Sequence, residues 1–177
     1  MSIQPLARTA ANSAATVSSA VILRSAIKSA PVGNTLMAGV LSVAAGTTDA
    51  IDAITNSDKV TLSSGVARGV GSGAQIIGGL MFMSKSSNPD VKAAAAVLSI
   101  SGSLLKVVDQ HVPFKHAPYL KAATQGAIAG TAVSALFQII PGLLADGAKL
   151  GTRGLIICAT IGATGAAIGT ALDKAGK

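Results

Sequence analysis

Long apolar segments separated by short polar or proline-containing breaks dominate the chain. No segment alternates apolar and polar residues with period two over a useful length, so the pattern predicts helices and no sheet. Boundary signals predict four helices in the first part of the chain. The first three run from about Pro5 to Lys28, from a cap at Asn34 or Thr35 to about Thr55, and from a cap at Ser63 or Ser64 to about Lys85. The fourth covers residues 90–111, and Pro89 with Asp90 marks its start.

Two later stretches, residues 122–145 and 154–172, carry no formally charged side chain. Arg153 lies just before the second stretch. As helices they would reach roughly 36 Å and 28 Å, which matches a hydrocarbon core of about 30 Å. The connector between them is short and carries Lys149, which is the layout of a helical hairpin that spans a bilayer. Pro141 is expected to kink or shorten the first of these helices.

The pattern as a whole predicts an all-α fold. We expect an Ala/Gly-rich helical bundle of about five to six helices that ends in a C-terminal apolar helical hairpin. Residues 112–121 contain two prolines and most of the local polarity, so they divide the chain. The expected parts are an N-terminal helical region at 1–111, a Pro-rich junction at 112–121 and the apolar hairpin at 122–177.

The composition of the two uncharged stretches leaves a second interpretation open. They contain Ala, Gly and Thr more than Leu and Phe, although even Leu and Phe favour membrane insertion by only about 0.3–0.6 kcal/mol each. The chain has no Trp and 2% aromatic residues, so neither membrane interface would receive an aromatic belt. Neighbouring subunits of a large assembly, instead of lipid, can therefore bury these helices.

Glycines recur at every fourth position within several predicted helices. This spacing places small residues on one helix face, where a neighbouring backbone can approach closely. A glycine inside a helix otherwise costs about 1 kcal/mol relative to alanine. We therefore predict helix-packing positions at Gly69, Gly73, Gly126, Gly130, Gly165 and Gly169. The alternative interpretation is that glycine only loosens an Ala-rich helix.

Polar side chains are few in the first uncharged stretch, and Thr124, Thr131 and Gln138 follow one stripe at seven-residue spacing. A water-filled lumen needs such a stripe, because lipid-facing surfaces tolerate few polar groups. These three residues are therefore possible lumen-facing positions. In the alternative interpretation they form hydrogen bonds to backbone, or to a facing helix, inside a dry bundle.

The charged residues narrow the range of partners. All seven acidic residues are Asp, whereas solvated helix faces normally use Glu for helix propensity and for pairing with Lys. Few helix faces are therefore expected to meet water. The net charge is +7, and Lys and Arg are spread without a run, which disfavours specific nucleic-acid recognition and suits anionic lipid headgroups.

Residues 1–28 contain no acid and are rich in Ser, as in an ordinary first helix or a targeting segment.

No group of residues predicts catalysis, a cofactor or a metal site. Asp109, His111 and His116 are neighbours in sequence, but their spacing across a proline does not put them on one helical face. The glycine-rich segment 162–169 lacks the Lys-Ser/Thr pair and the preceding strand of a phosphate-binding loop. Cys158 stands alone, so no intrachain disulfide can form. We expect a protein that is not an enzyme and has no evident small-molecule substrate.

Through its uncharged helical hairpin and its small residues, the second half of the chain resembles helical-hairpin proteins that insert into membranes. Channel-forming proteins, translocator components and phage conduit proteins are of this kind. Pattern and resemblance together predict a membrane-associating homo-oligomer, or a subunit of a larger complex, that forms or lines a channel, pore or translocation conduit. The competing class is a structural component of a virion or secretion-type assembly, located inside that assembly. A soluble binder with an apolar pocket is a third class.

Overall fold

The computed structural model describes residues 5–28, 34–56, 62–111, 118–144 and 149–175. These residues form six α-helices and no strand, which confirms the predicted all-α bundle. The helices are α1 (Pro5–Ile27), α2 (Thr35–Thr55), α3 (Leu62–Met83), α4 (Pro89–His111), α5 (Pro118–Leu144) and α6 (Thr152–Ala175).

Two helix starts follow from side-chain caps. The Asn34 side chain accepts a hydrogen bond of 3.1 Å from the backbone N–H of Met37 at the start of α2. At the start of α4, the Asn88 side chain accepts one of 2.9 Å from the N–H of Asp90. In each case the cap satisfies a backbone donor that has no partner within its own helix.

Two other boundaries differ from the sequence-based expectation. The predicted cap at Ser63 or Ser64 is wrong, because α3 already begins at Leu62. The helix α5 begins at Pro118, inside the predicted junction. Proline is well suited to a first helical turn, where its missing N–H would have had no partner. The rest of that junction, residues 112–117, lies outside the described residues.

The first four helices form a bundle in which consecutive helices are antiparallel. α2 packs against α1 and α3, and α4 packs against α3 and α1, which closes the ring. α5 packs against α4, and α6 packs against α5. As a result, 78% of the apolar segment of α4 is buried and none of the corresponding segment of α6 is.

The antiparallel arrangement gives the molecule two ends. At the end where α1, α3 and α5 begin, Arg68 lies between Asp52 of α2 (3.7 Å) and Asp109 of α4 (3.6 Å). Lys121 of α5 also reaches Asp109, at 3.3 Å. These contacts join four helices, and we call this end the ion-pair end.

The opposite end carries cations for which the described residues provide no ion pair. These cations are all exposed, and they are Arg24, Lys28, Lys85, Lys149 and Arg153. We call this end the basic end. Lys92 differs from them because its ammonium donates to the carbonyl oxygens of Phe82 (3.0 Å) and Ser84 (2.9 Å). It thereby supplies donors to carbonyls at the end of α3 that have no partner within that helix.

Close approach of the bundle helices depends on glycines spaced seven residues apart. A Cβ added at Gly71 would lie 2.8 Å from the carbonyl oxygen of Gly102, and one at Gly78 would lie 2.6 Å from another carbonyl oxygen of α4. Gly39 and Gly46 of α2 face α3 at similar distances. Seven-residue spacing returns to the same face of a helix that packs along a bundle, so each pair keeps two backbones in contact over two turns.

Candidate functional site

The distribution of large apolar side chains between interior and exterior is inverted relative to a water-soluble domain. Among the residues whose burial the structure describes, twenty-four large hydrophobic side chains are exposed and seven are buried. Twelve polar or charged side chains are buried, and much of the remaining core is alanine. Exposed apolar residues are common on soluble proteins, but a polar interior beneath an apolar exterior is not.

A polar network inside the bundle, toward the ion-pair end, draws on all four of its helices. Lys106 of α4 lies 2.5 Å from the carboxylate of Asp49 on α2 and also donates to the side-chain oxygen of Gln75 on α3. Asn12 of α1 donates to Asp49 at 2.8 Å and accepts from Gln75 at 3.0 Å. Gln75 also donates to Ser103 of α4. We call these five residues the central network.

The polar interior continues toward the middle of the bundle. The hydroxyl of Ser99 lies 2.9 Å from that of Ser19 and 2.7 Å from that of Ser42. Beyond this serine trio the core becomes apolar around Phe82, which is fully buried. The apolar cluster that closes the interior toward the basic end comprises Ile22, Ala38, Phe82, Ala95 and Ala96.

The depth of these groups follows from helix geometry. Lys106 lies five residues before the end of α4, which is roughly 7.5 Å along the axis, and Ser99 lies twelve residues before it, roughly 18 Å. A hydrocarbon core is about 30 Å thick. Polar side chains therefore reach from the ion-pair end to about the middle of a bilayer-sized bundle.

The buried charges require these partners. A buried ion whose partner is removed costs about 3–5 kcal/mol, because the remaining charge is uncompensated. Lys106 and Asp49 are each 2% exposed at the side chain and form both an ion pair and hydrogen bonds. Two polar atoms near the network, Arg68 Nε and Ser72 Oγ, are buried with no hydrogen-bond partner among the described residues.

Four of the helices are long and apolar enough to cross a membrane, in the segments Thr35–Thr55, Pro89–Asp109, Pro118–Ile140 and Thr152–Leu172. The last two correspond to the uncharged stretches of the sequence. The first two, in α2 and α4, include Asp49 and Lys106. The sequence pattern did not predict α2 and α4 as membrane-spanning helices, because each charged residue was considered alone. In the fold, Asp49 and Lys106 pair with each other inside the bundle.

The outer face of α6 is apolar and is covered by no other described helix. Its exposed side chains are Ile156, Ile157, Ile161, Ile168 and Leu172. Because α6 packs mainly against α5, the opposite face of the helix is open along its length. A peripheral helix with this composition is one that lipid, or another protein surface, would have to cover.

The predicted helix-packing glycines fall into two groups. A Cβ at Gly126 would collide with the carbonyl oxygen of Gly162, and one at Gly130 would collide with that of Cys158, so both lie where α5 meets α6. A Cβ at the other four would meet no atom within 4 Å: Gly69, Gly73, Gly165 and Gly169. Packing of these four against another molecule stays a prediction.

The three residues considered for a lumen have partners within the chain. Thr124 and Thr131 donate to the carbonyl oxygens four residues earlier in α5, at 2.8 Å and 2.9 Å. Gln138 donates to Ser134 at 2.8 Å and accepts from the N–H of Gly151 at 2.6 Å, so it ties α5 to the start of α6. Whether the stripe lines a lumen in an oligomer stays a prediction.

The residues of the bundle interior were not singled out in the sequence, although a signal for them exists. Polar residues recur seven positions apart in each of the first four helices. The pairs are Asn12 and Ser19, Ser42 and Asp49, Arg68 and Gln75, and Ser99 and Lys106. A seven-residue repeat of this kind marks the inward face of a bundle helix. Here it marks a polar interior.

Comparisons of the chain with protein-family models, with curated proteins and with solved structures found no match. We therefore infer the function from the geometry of the chain itself.

Proposed function

We propose that this protein is a membrane-spanning helical protein that assembles into an oligomer and forms or lines a conduit. The inverted distribution of side chains is the observation that carries the proposal. Lipid accepts an exterior of Val, Ile and Leu, while charged groups inside a membrane must face a protein interior or a water-filled path. The proposal assigns the chain no catalytic activity.

The polar interior of the α1–α4 bundle supports the conduit part of the proposal. Ionisable residues within membrane-spanning segments are costly, and they mark ion or substrate pathways more often than they serve stability. The central network and the serine trio together provide such groups over half of the bundle length. The cluster around Phe82 is then the apolar constriction of the closed state.

Oligomer formation is supported by the two open glycine pairs. Gly69 and Gly73 on α3, and Gly165 and Gly169 on α6, leave backbone accessible on helices that have exposed apolar side chains nearby. Small residues at four-residue spacing are how membrane helices pack without large apolar cores. The same surfaces also fit the second candidate, a structural component whose exterior is buried by neighbouring subunits.

Partition between water and membrane separates these two candidates. The full chain is expressed, its membranes are washed with alkaline carbonate, and the pellet and supernatant are compared. A spanning protein stays in the pellet and requires detergent for dispersal. Complete release by carbonate, together with detergent-free solubility as a large particle, would favour the structural component.

Water access to the interior tests the conduit. In a Cys158→Ala background, Ser42→Cys and Ser99→Cys replace buried hydroxyls with thiols of similar size. Reconstituted protein is treated with a water-soluble thiol reagent. Labelling of these two positions with protection of Val40→Cys, on the outer face of α2, is the expected result.

The alternative lumen on α5 is tested in the same experiment. Thr124→Cys, Thr131→Cys and Gln138→Cys report on that stripe, and Val133→Cys on the exposed face of α5 is the control. Labelling of the stripe but not of Ser42→Cys and Ser99→Cys would move the conduit from the bundle to the α5 interface. Equal protection of all interior and stripe positions would leave a membrane protein without a conduit.

A further inference from the structure

The valley that α4 forms with α1, α5 and α6 contains two adjoining apolar grooves. The first, about 280 Å³, opens at the basic end and is lined by Leu23, Ile27, Ala93, Val97, Leu150 and Leu155, among others. The second, about 290 Å³, lies farther from that end, between α4 and α5. Leu23 and Val97 line both grooves, so the two grooves adjoin, and we call them together the trough.

The trough is long enough to hold a lipid chain over the depth of one leaflet. It follows α4 from Pro89 to Leu104, which is fifteen residues or roughly 22 Å along the helix axis. One leaflet contributes about half of a 30 Å hydrocarbon core. A chain that enters at the basic end would therefore fit within the trough to its full depth in the leaflet.

Four exposed cations are direct sequence neighbours of residues that line the trough at the basic end. In the sequence, Arg24 directly follows the lining residue Leu23, and Lys28 follows Ile27. Arg153 directly follows the lining residue Thr152. Lys149 precedes another lining residue. All four cations are exposed and have no ion pair within the described chain.

A single acidic side chain, Asp90, is described at this end, and it also lines the trough. Four cations at the mouth therefore outnumber the acid that faces them. At the ion-pair end the arrangement is different, because Arg68 and Lys121 already share carboxylates. Among the described residues, the exposed cations without an ion pair are concentrated at the basic end, so that end is better suited to attract an anion from outside the chain.

We propose that the trough binds one acyl chain of an anionic phospholipid, with the phosphate held by Arg24, Lys28, Lys149 and Arg153. The inference rests on the proposed membrane location, because the lipid enters from the surrounding leaflet. An apolar trough that ends beneath unpaired cations matches both parts of such a lipid. Neither an apolar chain without a charge nor a free phosphate uses both parts.

The test measures lipid retention by the purified full chain in mild detergent, using native mass spectrometry. The probes are phosphatidylglycerol and phosphatidylcholine with identical acyl chains, and glycerol phosphate as a headgroup without a chain. We expect one phosphatidylglycerol to be retained per chain, and neither of the other two probes. Equal retention of the two lipids, or equal retention of glycerol phosphate, would overturn the proposal.

Two variants locate the site. Lys28→Gln with Arg153→Gln is expected to weaken phosphatidylglycerol binding about 25-fold, since each cation near an anionic lipid strengthens attachment roughly five-fold. The matched control is Lys174→Gln, which removes an exposed cation at the ion-pair end. An equal loss in the control would show that the attraction is only general charge.

The apolar part is tested by Val97→Phe, which fills the point where the two grooves meet. Its control is Val107→Phe on the outer face of the same helix, which is 40% exposed. Retention should be lost in the first variant and kept in the second, with unchanged helical circular dichroism in both. Retention by both would overturn the trough as the site. Carbonate extraction of the same chain reports the membrane location separately, so a protein that stays in the membrane without lipid preference refutes only this inference.

Discussion

The α1–α4 bundle and the α5–α6 hairpin use different means to hold apolar helices together. In the bundle, polar side chains from four helices meet in the central network, and each buried charge has a partner. In the hairpin, glycine backbones are in direct contact and the described charged side chains lie toward its ends. Side-chain chemistry specifies the first region, and backbone proximity specifies the second.

This difference explains why the two regions bury their residues so differently. The central network needs all four helices around it, so the bundle encloses its polar groups and α4 is largely buried. Contact at Gly126 and Gly130 needs one neighbour only, so α6 can remain at the periphery with its outer face open. A polar interior and a peripheral apolar helix are both stable in lipid.

The largest expected effect is in the bundle. Lys106→Met removes the cation that lies 2.5 Å from the buried carboxylate of Asp49. We expect a loss of about 3–5 kcal/mol in unfolding free energy, measured on the detergent-solubilised chain by helical circular dichroism. Lys149→Met in the hairpin connector, an exposed position with no ion pair to another described residue, should change stability by less than about 0.5 kcal/mol.

The double variant Asp49→Leu with Lys106→Met sharpens this comparison. Replacement of both charges by apolar groups is often neutral or stabilising, so much of the lost stability should return. A double variant as unstable as Lys106→Met alone would show that hydrogen bonding to Asn12 and Gln75, instead of the charge pair, holds the bundle.

Alanine substitution of two glycines in the hairpin is expected to change the free energy of unfolding by an intermediate amount, with opposite sign at the two positions. Gly126→Ala places a methyl group against the carbonyl oxygen of Gly162, and overpacking of this kind costs about 1–3 kcal/mol. In the single chain dispersed in detergent, the methyl group of Gly165→Ala meets no atom outside its own helix within 4 Å, and this variant should gain up to about 1 kcal/mol from helix propensity. Thermal unfolding of the two variants should shift in opposite directions, and a shift in the same direction would contradict backbone contact as the specifying feature.

The smallest expected effect separates two glutamines of α5. Gln138→Leu removes hydrogen bonds to Ser134 and to the Gly151 N–H, at a cost of about 0.5–1.5 kcal/mol. Gln125→Leu removes a buried amide nitrogen that has no partner in the described chain, so it should be neutral or stabilising. Equal destabilisation in the same unfolding assay would refute the role of Gln138 in closing the hairpin.

Local signals in the sequence were sufficient for most of the fold. Pro5, Asn34 and Pro89 mark helix starts that the structure confirms, because capping and proline geometry depend on neighbours within a few residues. The predicted cap at Ser63 or Ser64 is wrong because several polar residues lie close together in this part of the sequence. Propensity alone does not select which of them caps the helix.

The interior could not be predicted in the same way. Asp49 and Lys106 are 57 residues apart, and each alone resembles a charge on a solvated helix face. Their pairing depends on how four helices close into a ring. Likewise Gly73 and Gly126 belong to identical four-residue repeats, yet one faces open space and the other a neighbouring backbone. Spacing identifies a helix face but not what that face meets.

The central claim is that the exterior of this protein faces lipid while its polar interior does not. The most direct measurement is photolabelling of the full chain in phosphatidylcholine vesicles with an apolar carbene probe confined to the lipid, followed by residue-level mass spectrometry. We predict adducts on Val40, Val70 and Ile161, which are exposed, and none on Ala95 or Ser99, which are buried. Recovery of the chain in the aqueous fraction without adducts on those three exposed residues would contradict the claim.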